Sequence, residues 1–548
     1  MPPDETRKMI CVTATFTAEP LEDSLRYWMK ELGFPFDVTF APYNQVFQQL
    51  LDPSSLLSQN HMGINVVLVR LEDWQRFEKG DEADSALAQE KIERNIGELA
   101  QALQLASDRS TTPTIVCIGQ PSPAVAADEQ RNALFQRMES LLADELAPLN
   151  SVYLVSSAEM TERYPVREYY DPFTDKNGHI PYTTSFFTAL GTLLARKIYA
   201  LQTPARKVIA LDCDNTLWKG VCGESGPLGV EMDAPHRALQ QFMIAQQEAG
   251  RLLCLCSKNS EQDVFDVFAQ HPDMLLKREH ILAWRINWQP KSENLAALAQ
   301  ELQLGLDSFI FVDDNPLECA EVKAGCPEVL TLQLPEQAER IPRFLQHAWP
   351  FDHLKITATD RQRTALYRQN AQREQARQGA ASFEAFLATL ELEIHISQMT
   401  PEQVERVAQL TQRTNQFNVS TIRRTEGEVA HLSRAGELEF SVVEVRDRFG
   451  DYGLVGVMAF KTQANALHVD TFLLSCRVLG RGVEHRMWKT LGEIATTRGL
   501  ETVSVPFLPT AKNQPAFDFL SKVAGDYQEP YHQDGRLFSV PAQVAAQE

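Results

Sequence analysis

The sequence predicts an α/β protein with two doubly wound parallel-sheet domains followed by an α+β domain. Short β-branched runs alternate with helical patterns over residues 1–200 and again over residues 201–350. In residues 351–548, three successive strand patterns precede a helical one. Strand–helix alternation is typical of parallel sheets covered on both faces, whereas consecutive strands followed by a helix are typical of an α+β domain.

Composition and charge narrow the functional classes. The 548 residues carry 52 Lys+Arg against 73 Asp+Glu, a formal net charge of −21, and 44% of them are hydrophobic. An acidic chain lacks the domain-wide basic surface that binds nucleic acid or anionic lipid, so we expect neither partner. Nine cysteines, an odd number, lie partly within apolar runs, and no signal-peptide pattern is apparent. These features predict a reducing, cytoplasmic location.

Each element of the first two domains follows from apolar periodicity and flanking turn residues. For residues 1–200 the predicted strands are 10–15, 65–69, 114–118 and 152–155, and the predicted helices are 22–32, 83–105, 130–146 and 184–200. For residues 201–350 the predicted strands are 208–211, 251–256 and 308–312, and the predicted helices are 235–248, 261–270 and 291–302.

The third domain, residues 351–548, begins with a polar stretch over 355–390 that predicts a solvated connecting helix. The strands predicted after it are 390–397, 440–446, 453–461, 466–474 and 502–505, and the helices are 402–412, 482–498 and 515–524.

Two carboxylates follow the first strand of the second domain. Asp212 and Asp214 lie two residues apart where the strand ends, the edge at which open α/β sheets bind ligands. Asp212 is the predicted nucleophile that attacks phosphorus and forms an aspartyl-phosphate, and Asp214 is the predicted acid and base. Carboxylates this close repel one another unless a cation lies between them, and Mg²⁺ prefers oxygen ligands.

Neighbouring elements end in residues suited to phosphate. Ser257, Lys258 and Asn259 end the next strand before a helix and form a predicted phosphate site. Lys291 opens another helix and is predicted to neutralise phosphate charge. Any one of these residues alone is more often structural, but the ordered set at strand and helix ends favours phosphoryl chemistry.

A further pair of carboxylates ends the strand at 308–312. Asp313 and Asp314 are predicted to join Asp212 and Asp214 as ligands of Mg²⁺.

The set resembles that of the haloacid dehalogenase (HAD) superfamily of phosphotransferases. More narrowly, residues 212–224 (DCDNTLWKGVCGE) resemble the FkbH-like family, as do residues 178–182, 415–418, 449–453 and 475–477, so the likeness covers nearly the whole chain. The resemblance implies an SGNH-like first domain, a HAD-like second domain and a GNAT-like third domain.

A glycine-rich loop opens the predicted helix 482–498. Arg477, Gly480, Arg481 and Gly482 match the R-x-x-G-x-G loop of GNAT acyltransferase folds, and residues 513–519 also resemble that fold. The closing Gly-Phe of that fold is replaced here by Gly525-Asp526, a departure from the pattern. Glycines let backbone N–H groups approach a pyrophosphate or a pantetheine phosphate, so these four residues are predicted to bind a pantetheine or carrier.

Cys476 directly precedes this loop, where two arginines and a helix N-terminus favour a thiolate that accepts an acyl group. The alternative interpretation is a small buried strand residue. Cys213 is a rival acceptor between the two aspartates, although its alternating position favours packing.

The first domain lacks a hydrolase nucleophile. The expected Gly-Asp-Ser block is replaced by Thr13-Ala-Thr15-Phe-Thr17. We therefore expect a structural or docking domain, with His179 as a hydrogen-bonded structural residue.

The resemblance implies transfer of a glyceryl unit from 1,3-bisphosphoglycerate through an enzyme thioester to the phosphopantetheine thiol of an acyl carrier protein. Mg²⁺-dependent dephosphorylation through Asp212 would accompany this supply of polyketide or nonribosomal precursors. Because carrier proteins are acidic, docking calls for a local basic patch, with residues 361–377 and 481–486 as candidates. Alternatives are a stand-alone HAD phosphatase, an acetyl-CoA-dependent GNAT acyltransferase, and a non-catalytic module that recruits carriers; the complete HAD set argues against the last.

Overall fold

The computed structural model describes residues 8–76, 85–149, 151–354, 367, 389–532 and 535–547. The chain forms two compact units, of which the first combines Met1–Thr203 with Arg424–Gly436 and the second combines Pro204–Arg423 with Glu437–Glu548. The predicted fold class is confirmed, because the strands form two parallel five-stranded sheets and one mixed seven-stranded sheet. Among the described residues, no helix has the length and apolar character needed to cross a membrane.

The sheet of the first unit is parallel, in the order β2-β1-β3-β4-β5. Its strands are β1 (Lys8–Ala14), β2 (Phe36–Phe40), β3 (Ile64–Val69), β4 (Thr114–Ile118) and β5 (Val152–Val155). The helices are α1 (Glu22–Glu31), α2 (Val46–Leu51), α3 (Ser85–Arg109), α4 (Pro123–Ala126), α5 (Glu129–Leu146), α6 (Ser157–Arg163), α7 (Pro172–Gly178) and α8 (Thr184–Gln202). Every residue of β3 and β4 is buried, as expected for central strands of a doubly wound sheet.

The second unit contains the other parallel sheet, in the order β10-β9-β6-β7-β8. Its strands are β6 (Val208–Leu211), β7 (Leu252–Ser257), β8 (Ile281–Ile286), β9 (Phe309–Asp313) and β10 (Leu330–Gln333). The helices are α9 (Cys222–Ser225), α10 (Ala234–Glu248), α11 (Glu261–Gln270), α12 (Lys291–Leu302), α13 (Pro316–Gly325) and α14 (Ile341–His347). The order reverses between β9 and β6, which places a crevice at the carboxyl ends of those two strands.

The mixed sheet of the second unit has the order β11-β12-β13-β14-β15-β17-β16, in which the pair β14–β15 is parallel and the others are antiparallel. Its strands are β11 (Glu393–Gln398), β12 (Glu439–Asp447), β13 (Gly450–Gln463), β14 (Ala466–Leu474), β15 (Thr502–Phe507), β16 (Gln528–Tyr531) and β17 (Gly535–Pro541). The helices of this part of the chain are α15 (Val404–Arg413), α16 (Glu426–Arg434), α17 (Val483–Thr497), α18 (Gln514–Ala524) and α19 (Ala542–Ala545).

Helix α16 belongs to the first unit although it lies far along the chain. Thr425 and Glu428 form a capping box that fixes its start, and Arg434 pairs with Asp108 of α3 at 3.0 Å. Gly427 lies so close to Ser151 that an added Cβ would meet its side chain at 3.2 Å. The predicted third domain thus gives one helix to the first unit, and the division at residues 200 and 350 stays a prediction.

The strands that sequence patterns missed lie mostly at sheet edges. β2, β8, β10 and β16 each end a sheet, and their residues are only partly buried, so they lack a continuous apolar run. The predicted connecting helix over 355–390 lies outside the described residues, apart from Tyr367 and residues 389–390.

Candidate active site and thiol cavity

Asp212 and Asp313 lie side by side at the reversal point of the parallel sheet of the second unit. β6 pairs with β9 from Val208 to Leu211, and the Asp212 N–H then donates to the Val312 carbonyl at 3.0 Å. This register carries both aspartates to the same edge, where ligands bind in sheets of this type. Both residues thus lie at strand ends, and their catalytic and metal-binding roles stay predictions.

Lys291 occupies the centre of this edge. Its Nζ lies 2.7 Å from Asp212 Oδ1 and 2.6 Å from Asp313 Oδ2, and it also contacts Glu318. Burial alone would lower the pKa of Lys291, but the neighbouring carboxylates of Asp212 and Asp313 raise it above its usual value. Lys291 is therefore a charged group inside the protein, with an exposure of 0%.

Three carboxylates surround this single ammonium. Oxygens of Asp212, Asp313 and Glu318 lie within 4.8 Å of one another. Burial, and after it the neighbouring Asp212 carboxylate, raises the pKa of Asp313 to about 7. Carboxylate oxygens suit a hard divalent cation such as Mg²⁺, which would share these three side chains with the Lys291 ammonium.

Asp214 and Asp314, the other two predicted metal ligands, accept hydrogen bonds from other groups. The Asp214 carboxylate accepts from Trp218 Nε1 at 2.8 Å, from the Cys222 N–H at 3.1 Å and from Asn259 Nδ2 at 2.7 Å. The Asp314 carboxylate accepts from the Thr216 hydroxyl at 3.3 Å. In the described part of the chain, the three-carboxylate cluster thus includes Glu318 but neither Asp214 nor Asp314, whose role as ligands stays a prediction.

Residues 257–259, predicted to bind phosphate, contact carboxylates of the site, and their phosphate-binding role stays a prediction. The Ser257 hydroxyl is hydrogen-bonded to Asp212, and Asn259 holds Asp214. The Lys258 ammonium lies 3.3 Å from Glu318, with a third of its side chain exposed. The loop therefore positions the two key aspartates and leaves Lys258 near the opening.

Cys213 is a packing residue, as its strand position predicts. It has an exposure of 0% and belongs to the apolar core that includes Leu211 and Leu217. Burial raises the pKa of the Cys213 thiol well above its usual value, which disfavours a nucleophilic thiolate.

Cys476 lines a cavity of about 390 Å³ within the second unit. It begins a short 3-10 helix, Cys476–Val478, directly after β14, and it is the one cysteine of the nine that is not buried. Residues 303–308, which lead into β9, form another wall of the cavity. The structure thus favours the accessible thiol over the buried strand residue that was its alternative interpretation.

The glycine-rich loop beside Cys476 already binds an internal carboxyl group. Gly480 and Gly482 have φ of +75° and +82°, the left-handed conformation that glycine adopts most readily. The Gly480 N–H donates to Glu484 Oε1 at 3.2 Å, and burial raises the pKa of Glu484. A phosphate bound by this N–H would have to displace Glu484, so the predicted pantetheine role of the loop stays untested.

The arginines of this loop have separate partners. Arg477 is buried, and its Nε donates to Ser475 Oγ at 3.3 Å. Arg481 lies over the Tyr452 ring and contacts its hydroxyl. Of the two predicted basic patches, residues 481–486 are described, whereas 361–377 lie outside the described residues apart from Tyr367.

His179 in the first unit is hydrogen-bonded, as predicted. Its Nε2 lies 2.9 Å from Asp73 Oδ1 and its Nδ1 lies 2.5 Å from the Tyr43 hydroxyl. Thr15, which lies in the block that replaces the expected Gly-Asp-Ser, donates to Asp73 Oδ2 at 2.7 Å. Asp73 and Tyr43 were not expected from the sequence.

Other residues of the two sites were also missed. Glu318 follows Asp313 by five residues in Asp-Asp-Asn-Pro-Leu-Glu, a spacing that carries a carboxylate onto the first turn of α13. Lys207 and Arg413 line the cavity, but they lie far from Cys476 in sequence and no local pattern marks them.

Comparisons with known proteins support the fold. No protein-family model matches the chain, and no curated protein matches it. Among solved structures, an N-terminal part of a Bacteroides fragilis protein, containing a phosphatase domain and complexed with Mg, is 20% identical with a TM-score of 0.55. The match covers 64% of this chain and 94% of that one.

Two acetyltransferases resemble a smaller part. The PaiA N-acetyltransferase of Thermoplasma acidophilum, in complex with coenzyme A, is 14% identical, with a TM-score of 0.21 and coverage of 27% of this chain and 99% of that one. A GNAT-family acetyltransferase of Staphylococcus aureus is 11% identical, with a TM-score of 0.22 and coverage of 27% and 99%. TM-scores this low carry no argument about the fold. The α+β assignment of the mixed-sheet region is therefore based on its strand topology. What the comparisons establish is that the chain shares the fold of a phosphatase-domain protein over 64% of its length.

Proposed function

We propose that this protein is a Mg²⁺-dependent HAD-type phosphatase that also transfers an acyl group, a glyceryl unit from 1,3-bisphosphoglycerate, to an acyl carrier protein. The observation that carries the phosphatase part is the Asp212, Asp313 and Glu318 cluster around Lys291 at the sheet reversal. The acyl-transfer part is supported by the one accessible thiol, Cys476, in its own cavity.

Asp212 and Asp214 have different roles in the proposed phosphatase reaction. An oxygen of Asp212 attacks phosphorus, and the bond from phosphorus to the ester oxygen breaks with its electron pair leaving on that oxygen. Asp214 gives this oxygen its proton, then takes a proton from the water that hydrolyses the aspartyl-phosphate. Hydrogen bonds from Trp218 and Asn259 fix the position of the Asp214 carboxylate.

The cationic groups of the site lower the cost of bringing a phosphate to a carboxylate. Lys291 neutralises charge at the point of attack, and Lys258 lies at the partly exposed side of the cluster. Bound Mg²⁺, held by Asp212, Asp313 and Glu318, would supply further charge stabilisation.

The acyl-transfer step uses the Cys476 sulfur. The thiolate attacks the carbonyl carbon of the acyl phosphate, a C–S bond forms, and the C–O bond to phosphate breaks with its electron pair leaving on inorganic phosphate. The thiol proton passes to solvent. The carrier sulfur then attacks the thioester carbon and forms a new C–S bond, and the C–S bond to Cys476 breaks with its electron pair leaving on the Cys476 sulfur. The proton of the carrier thiol passes to that sulfur, which restores the Cys476 thiol.

The Cys476 cavity and the aspartate cluster lie at opposite ends of the same strands of the parallel sheet. Lys207 and Ser308 line the cavity and directly precede β6 and β9, whereas Asp212 and Asp313 lie at the carboxyl ends of the same strands. Lys207 and Asp212 are five positions apart along this strand direction, a span of about 16 Å. A phosphorylated acyl group therefore has to travel between the centres, which suits a mobile carrier arm.

The test is intact-mass spectrometry of candidate carrier proteins after incubation with enzyme, Mg²⁺ and 1,3-bisphosphoglycerate. The proposal expects a carrier bearing phosphate-free glyceryl with the wild-type enzyme and an unloaded carrier with Cys476→Ala. Cys213→Ala is the matched control and should load the carrier. Phosphate release from simple esters without any carrier loading would instead support the stand-alone phosphatase.

A further inference from the structure

The cavity at Cys476 is basic although the chain is acidic. Its described lining contains five basic side chains and two acidic ones, in a protein with a formal net charge of −21. The basic residues are Lys207, Arg406, Arg413, Arg477 and Lys512. An excess of positive charge in one concave site attracts an anion and raises its local concentration.

The basic groups are held in place by the fold. Lys207 Nζ lies 3.5 Å from the Arg413 carbonyl, and Arg406 Nε donates to the Leu454 carbonyl at 3.2 Å. Lys207, Arg406 and Arg413 are half-buried, so their charges are less screened than those of surface residues. Lys512 differs, because it is exposed and paired with Asp307.

A volume of about 390 Å³ lies at the small end of ligand sites, enough for a compact molecule. Cys476 and Arg477 line the same cavity, so an anion held by the basic side chains is close to the thiol.

We propose that this cavity binds the phosphate group of a small phosphate ester and thereby presents an adjoining acyl carbon to Cys476. The inference rests on the proposed function only in assigning an acyl group to the ligand. It assigns Lys207, Arg406 and Arg413 as substrate-positioning residues. The phosphate has two sources, a free acyl phosphate donor or the phosphopantetheine arm of a carrier, and both present the same anion.

The test measures protection of Cys476 from alkylation in the full-length protein. The other eight cysteines are buried, so iodoacetamide is expected to modify Cys476 first, and peptide mass spectrometry reads the rate. The probes are inorganic phosphate, 3-phosphoglycerate, pantetheine and pantetheine 4′-phosphate. Phosphate and 3-phosphoglycerate should slow alkylation, and pantetheine without its phosphate should not.

Variants that remove one positive charge distinguish recognition of the phosphate charge from steric blocking of the cavity. Lys207→Gln and Arg413→Gln should raise the half-protecting phosphate concentration about tenfold each, as expected for the loss of one charge-assisted hydrogen bond. Lys461→Gln removes an exposed charge on β13 and should leave protection unchanged. Equal protection of wild-type and Lys207→Gln protein, or no protection by any phosphate, would overturn the proposal.

Comparison of the phosphate probes also identifies the source of the bound phosphate. Stronger protection by 3-phosphoglycerate than by pantetheine 4′-phosphate assigns the site to the free donor, and the reverse order assigns it to the carrier arm. Protection by plain pantetheine equal to that by its phosphate shows recognition without the anion and refutes the proposal. The assay needs no turnover. Protection of Cys476 without carrier loading would therefore contradict the proposed function but not this inference.

Discussion

Replacement of Lys291 by methionine tests the core of the candidate active site. Methionine keeps an unbranched side chain of similar length and removes only the ammonium. In the wild-type protein this ammonium lies within 2.7 Å of Asp212 and 2.6 Å of Asp313 and has an exposure of 0%. The variant leaves these carboxylates buried without their cation.

The size of the effect follows from the burial of each partner. Asp212 and Asp313 are 7% and 0% exposed, so water cannot replace the lost ammonium. Glu318 is less buried and keeps Lys258 at 3.3 Å, so it contributes least. Removing one partner of a buried ion pair costs about 3–5 kcal/mol, and we expect that range for the whole cluster because protonation of Asp313 relieves part of the repulsion.

Hydrogen–deuterium exchange followed by mass spectrometry measures the loss of stability near the substituted residue. Exchange of the β6 and β9 amides in Lys291→Met should accelerate by about 10²- to 5 × 10³-fold, the equivalent of 3–5 kcal/mol. Lys219→Met is the control, because the pair Lys219–Glu231 is exposed, and its effect should stay within about 0.5 kcal/mol.

A second substitution checks the cause. Asp313→Asn added to Lys291→Met removes one of the unpaired charges and should recover part of the lost protection. Wild-type exchange rates in Lys291→Met, measured in chelator, would refute the ion cluster described above.

Four further outcomes follow from the structure. Cys476→Ala should prevent carrier loading yet leave Mg²⁺-dependent hydrolysis of a simple phosphate ester intact, and loss of both activities would contradict separate centres. Asp214→Asn should lower phosphate release by about 10²- to 10⁴-fold without changing the thermal transition, and near-normal release would remove Asp214 from proton transfer. Mg²⁺ at 100 times its Kd should stabilise the wild-type protein by about 2.7 kcal/mol in calorimetry, and an equal gain in Asp313→Asn would place the ion elsewhere. Burial raises the pKa of Glu484 above 4.5, so its ionisation costs stability as pH rises from 4.5 through the folded-state pKa. The Tm of Glu484→Gln relative to wild type should therefore increase from pH 4.5 to pH 7, and a constant difference would contradict this.

The sequence was most informative where chemistry coincides with local structure. Asp212 directly follows one buried apolar strand and Asp313 ends another, and parallel strands bring their carboxyl ends together, so local sequence was enough to bring the two residues to one place. Lys291 was recognised as the start of a helix, but its position between the two aspartates depends on packing of α12 against the sheet.

What the sequence missed depends on contacts between distant segments. Glu318 reaches Lys291 only because α13 and α12 pack together, and no periodicity encodes that contact. The cavity collects Lys207, Arg413 and Cys476 from separate elements, so its charge was not apparent in a chain that is acidic overall. Edge strands such as β8 were missed because their partly buried residues form no continuous apolar run.

The most direct measurement of the central claim is intact-mass spectrometry of enzyme and carrier after incubation of Asp212→Asn with Mg²⁺ and 1,3-bisphosphoglycerate. If Asp212 removes the phosphate, every acyl group found on enzyme or carrier retains its phosphate, whereas the wild-type reaction yields phosphate-free glyceryl. A carrier loaded with phosphate-free glyceryl at the wild-type rate by Asp212→Asn would contradict the account.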